Sequence, residues 1–181
     1  MTKLLLPALA LLASVAGCAQ FHNGTTRASS MTDPVNFTTQ TAAERATEEA
    51  LTRLAVQRAK SDDVKLFAAR LLADDQANDR LLQTLASQAG VTLSTEVPAA
   101  AQAKLEELAR LPHSEFDRAY MDAIVSAKRD DLHSMEAAQR APATAVAQFA
   151  RNSLPTLRTD LVQAETVNVL VGAGLSATQD D

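Results

Sequence analysis

Residues 61–90 read SDDVKLFAARLLADDQANDRLLQTLASQAG. Ser61 stands where a side-chain oxygen caps the first free N–H groups of a helix, and Asp62 and Asp63 fall in the first turn, where negative charge suits the helix dipole. Val64, Phe67, Leu71, Leu82 and Leu85 then recur at helical spacing. Gly90 sits where a left-handed residue closes a helix. The stretch predicts one long amphipathic helix over 62–89, with both ends signalled.

The same pattern extends in both directions. Towards the N-terminus, Leu51, Leu54, Ala55 and Arg58 mark a helix over about 40–59. Beyond Gly90, the connector 91–97 leads to Pro98, suited to a first helical position, and to a short helix over about 98–110. Ser114 is a candidate cap for a helix over 115–140, with Phe116, Tyr120, Met121, Ile124, Val125, Leu132 and Met135 apolar. Pro142 opens a helix over 143–151, and Ser153-Leu154-Pro155 restarts the chain as a last helix over 155–169. The tail from 171 to 181 reads as frayed.

Composition agrees with this reading. Of 181 residues, 36 are Ala, whereas only 3% are aromatic; this favours closely packed helices over strands. The expected fold is all-α: an antiparallel four-helix bundle over 37–170, with an additional short helix between the second and third long helices. A formal charge of −5, without clustered Lys and Arg, argues against a nucleic-acid partner.

The first residues carry a different message. Lys3 precedes the apolar run Leu4–Val15, too short to span a bilayer, and Ala16-Gly17 are small residues of the kind found at signal-peptide cleavage sites. Residues 1–17 are therefore expected to be a signal peptide. Val15-Ala16-Gly17-Cys18 resembles the lipobox of bacterial lipoproteins. That resemblance implies cleavage before Cys18, diacylation of its thiol, and the lipid bilayer as partner, since two or more acyl chains give a stable anchor. Residues 18–36 are expected to form the lipidated cysteine and a flexible tether. Ala19-Gln20, with no Asp after Cys18, favours the outer membrane and a domain facing the periplasm. Cys18 is the one cysteine in the chain, so the mature domain has no free thiol and no disulfide.

Three helices place a charged residue within their apolar tracks. Asp75 follows Phe67 and Leu71, Lys128 lies between Ile124 and Leu132, and Asp160 adjoins Leu157 and Leu161. Spacings of three and four keep the members of each series on one face. Either these side chains reach solvent at the rim, or Asp75, Lys128 and Asp160 form an inward cluster of one cation and two carboxylates. Glu48 lies in line with Leu51 and Ala55, so Glu48, Asp75 and Asp160 are an alternative ligand-binding set. A dimetal centre of the bundle type would use Glu-x-x-His pairs, and the chain has no Glu-x-x-His. His22, His113 and His133 read as surface residues. The adjacent pairs Asp62-Asp63, Asp74-Asp75 and Asp130-Asp131 read as solvated faces. No phosphate loop, Gly-x-Ser-x-Gly or Cys-x-x-Cys occurs. The expectation is a non-enzyme without metal or other cofactor, with envelope proteins as further partners.

Residues 37–168 also resemble the DUF4142 domain family. The matching stretches are LAVQRA at 54–59, VKLFA at 64–68, GVTL at 90–93, FDRAYMD at 116–122 and LPTLR at 154–158. The resemblance implies a ferritin-like bundle and export, often as a lipoprotein. It also implies histidines where this chain has Lys128 and Asp160, and an acidic-His pair in place of Asp74-Asp75. Any metal- or proton-linked role of those histidines would be lost or altered here, with a Lys between two Asp maintaining polar contacts instead.

Overall fold

The computed structural model describes residues 33–142 and 144–175. Five helices run in order: α1 Pro34–Arg58, α2 Asp62–Ala89, α3 Ala99–Ala109, α4 His113–Ala138 and α5 Ala145–Gly172, with no strand among the described residues. The helix over 62–89 matches its sequence signals closely. The Ser61 side chain accepts from the Val64 N–H, and Gly90 closes the helix at φ 68°.

Other boundaries differ from the sequence expectation. Helix α1 starts at Pro34, inside the stretch read as tether, because Asp33 caps it through a 3.0 Å bond from the Val35 N–H and Pro34 occupies the first turn. The helix therefore starts six residues before the expected 40. Thr38 and Thr41 are buried, and Thr38 Oγ1 donates to the Pro34 carbonyl at 2.6 Å. Helix α3 begins after Pro98, which is its N-cap. Helix α4 begins at His113 with Pro112 as N-cap, so Ser114 lies within the first turn and is not the cap. The expected break before Pro155 does not occur, and α5 is continuous through it. Proline removes one helical hydrogen bond, an interior cost of about 3 kcal/mol. Pro155 sits on the exposed face, while its neighbours Leu154 and Leu157 are buried and hold the helix to the core.

The helices form a bundle in which α1 packs on α2, α2 on α5, α5 on α4 and α4 on α1. Two apolar clusters fill it. One gathers Leu51, Val64, Phe67, Leu71, Phe116, Tyr120, Met121, Ile124 and Leu161, and Leu108 of α3 closes onto it. The other gathers Phe37, Leu82, Leu85, Met135, Val146, Phe149, Leu154 and Leu157, with the Phe37 and Phe149 rings edge-on at 6.1 Å. Leu132 packs against both. Between them lies a polar layer.

At the end filled by the first cluster, one side chain ties two turns together. Buried Asp117 accepts from the Ser61 N–H at 2.8 Å and from the Lys60 N–H at 3.1 and 3.2 Å. Arg58 donates to the Leu111 carbonyl at 2.9 Å and lies 5.8 Å above the Phe116 ring. The His113 ring, protonated on Nδ1, donates to the Arg58 carbonyl at 2.8 Å. This accounts for an Asp beside buried aromatics in 116–120. Asp117→Ala leaves both backbone donors without their acceptor, with an expected loss of about 2–3 kcal/mol. Asp117→Asn retains one acceptor oxygen and should lose less; urea unfolding of the two variants checks the order.

Candidate functional site

The polar layer borders a half-open cavity of about 40 Å³, large enough for a water molecule or two. Its lining includes Thr41, Glu44 and Arg45 from α1, Asn78 from α2, Lys128 and Asp131 from α4, and Ser153 and Asp160 from α5. Each arrives by helical periodicity: Lys128 and Asp131 are three apart on one face of α4, and Asp160 is seven residues after Ser153 on α5.

The central contact joins α1 to α4. Lys128 Nζ donates to Glu48 Oε1 at 2.6 Å, with both side chains almost wholly buried, at 3% and 5% exposed. Arg45 Nη1 approaches the same oxygen at 3.5 Å, and its Nη2 reaches Asp79 Oδ1 at 3.2 Å on the rim. Burial by itself would raise the Glu48 pKa. The charges of Lys128 and Arg45 and the Lys128 hydrogen bond overcome that effect and hold it below the usual carboxylate value. Asp160 is buried, and Arg70 Nη2 lies 4.0 Å from its Oδ1.

Asp131 behaves differently. Burial, reinforced by the charges of Glu48 and Glu44, outweighs Lys128 and Arg45 and pushes its carboxyl up to about 8. Sequence reading assigned the Asp130-Asp131 pair to a solvated face, and for Asp131 that is corrected here. The available signal was its spacing of three from Lys128.

Among the residues singled out from sequence, Lys128, Asp160 and Glu48 are all buried in this layer. Among the described residues, Lys128 forms a buried ion pair with Glu48, which the sequence placed in the alternative ligand set. The Asp75 side chain lies outside the described residues, as do Cys18, His22, the remainder of 1–32 and the tail from 176. His113 and His133 are exposed; His133 follows Asp130 by three residues but does not line the cavity. Asp74 forms a half-exposed pair with Arg70 at 3.1 Å.

Among the described residues, no group of three or more His, Cys, Asp or Glu is gathered so as to hold a metal ion. Likewise, no described helix is long and apolar enough to cross a membrane. A wider groove of about 430 Å³ separates Thr39, Ala42 and Ala43 of α1 from the 92–98 connector, but no charged cluster lines it.

Fold and site together define an all-helical bundle with an ion-paired polar layer enclosed between two apolar clusters. The chain belongs to the family described as "Domain of unknown function (DUF4142)", whose profile matches residues 20–167. No curated protein and no solved structure matches it.

Proposed function

We propose that this protein is a lipid-anchored component of a bacterial envelope whose helical bundle serves as a non-catalytic structural or interaction module. The anchor rests on Val15-Ala16-Gly17-Cys18, and outer-membrane placement facing the periplasm rests on Ala19-Gln20. We infer an antiparallel four-helix, ferritin-like arrangement in which α3 carries the chain across one end. Its support lies in contacts pairing residues of α1 and α4 in opposite order, Arg58 with Leu111 and Glu48 with Lys128. Contacts of α4 with α5 also run in opposite order, from Asp122 with Asn168 to Glu136 with Arg158.

The observation carrying the non-catalytic reading is the buried Lys128–Glu48 pair. In a bundle interior where carboxylates would otherwise attract a cation, this chain supplies its own ammonium. The alternative, metal or small-ligand binding through Glu48, Asp75 and Asp160, would require Glu48 to exchange Lys128 for the ligand.

The anchoring test is Cys18→Ser. It should abolish acylation and move the chain from the membrane fraction to the soluble fraction without changing its helix content. An unmodified Cys18 in the mature wild-type protein would overturn the assignment. Elemental analysis of the purified protein separates the two readings of the interior: one tightly held metal ion per chain would favour the alternative.

A further inference from the structure

Among the described residues, the polar layer contains more carboxylates than cations. Helix α1 contributes Glu44, Arg45 and Glu48, α4 contributes Lys128 and Asp131, and α5 contributes Asp160. From α2, Asn78 lines the cavity, Asp79 engages Arg45 and Arg70 approaches Asp160. Asp130 stands beside Asp131 in sequence. Glu44, Glu48, Asp131 and Asp160 thus outnumber Arg45 and Lys128, while Arg70, Asp74 and Asp79 lie more exposed at the rim. Glu48 has Lys128 and Arg45, Asp160 has Arg70, and Glu44 accepts from Gln40 Nε2 at 3.0 Å. Asp131 has no such partner among the described residues. Ser153, 6% exposed, lines the same cavity, and its hydroxyl finds no hydrogen-bond partner among them.

We propose that this cavity is a proton-binding site, in which a proton on the Asp131 carboxyl keeps a further negative charge out of a carboxylate-rich layer and its release loosens the α1–α4 seam. The ligand is the proton itself, exchanged with solvent at the half-buried edge of Asp131. While it is bound, Asp131 carries no charge and can donate to a water in the cavity. On release, an extra negative charge faces Glu44 and Glu48 across the seam. Like charges at short range inside a protein repel far more strongly than in water. The direction of the Asp131 pKa, raised to about 8 by burial and by those two glutamates, agrees with this geometry.

The test uses the purified full-length chain with isotopically labelled Asp carboxyl carbons. The resonance absent from Asp131→Asn should titrate with a midpoint near pH 8, far from its ordinary 3.8. Amides of α1 and α4 flanking the cavity should exchange about tenfold faster at pH 9.5 than at pH 6, after correction for intrinsic chemistry, as expected for local opening. In Asp131→Asn, which retains the side-chain volume, corrected exchange should not change with pH. A midpoint below about 5, or equal acceleration in Asp131→Asn, would overturn the proposal.

Discussion

Lys128→Met should destabilise the folded chain by about 3–5 kcal/mol at pH 7, the range for removing one member of a buried ion pair. Met retains much of the lysine stem volume, so the loss reports charge and not packing. Among the described residues, Arg45, 3.5 Å away, would then be left to oppose the charge of buried Glu48. Adding Glu48→Gln should recover a substantial part of the loss, and urea unfolding of the four proteins as a double-mutant cycle measures the coupling. Additive losses, or a single-mutant loss below about 1 kcal/mol, would mean that the pair behaves as a solvated surface contact. Acid supplies a second check. Because the folded state lowers the Glu48 pKa below its ordinary 4.5, its stabilisation is complete above that value and disappears as pH falls through the lowered one. Without Lys128, Glu48 takes up a proton more readily, so the gap between variant and wild type should narrow in acid.

Asp131 should impose the opposite slope. Its carboxyl titrates near 3.8 when unfolded and near 8 when folded, so between those values the folded state binds more protons. Stability then falls as pH rises from about 4 to about 8, and levels off above. Asp131→Asn removes that slope. At pH 9 the variant should be more stable than wild type by roughly 2–4 kcal/mol, with water at the half-buried edge screening the remainder of the effect. At pH 4 the two should be close. Thermal or urea unfolding across pH 4–9 reads this directly; parallel curves for the two proteins would remove Asp131 as their source. With Glu48 failing on the acid side and Asp131 on the alkaline side, wild-type stability should peak at mildly acidic pH.

Much of this layer was visible in the sequence as interruptions of apolar periodicity. Lys128 between Ile124 and Leu132 and Asp160 beside Leu157 and Leu161 were open to a rim or an inward position, and Glu48 lay in line with Leu51; all three are buried. Asp131 was missed because an adjacent acidic pair resembles a solvated face, although its distance of three from Lys128 puts it on the same side of α4. The start of α1 falls earlier than expected because Asp33 and Pro34 were read as part of a polar tether, whereas Asp33 caps the helix and Phe37 and Thr38 are buried by tertiary packing.

Local patterning was enough for most helical segments, for the caps at Ser61 and Gly90, and for the apolar face of each. Those properties depend on residues within one or two turns of each other. Long-range packing is what brings Lys128 to Glu48 across 80 positions, places Asp117 on a turn 56 residues away, and carries α5 through Pro155. Periodicity fixes the face a side chain occupies, but not the neighbouring helix that faces it. The choice of partner follows from how the whole bundle packs, where burial strengthens a well-placed charge contact and heavily penalises an unmatched one.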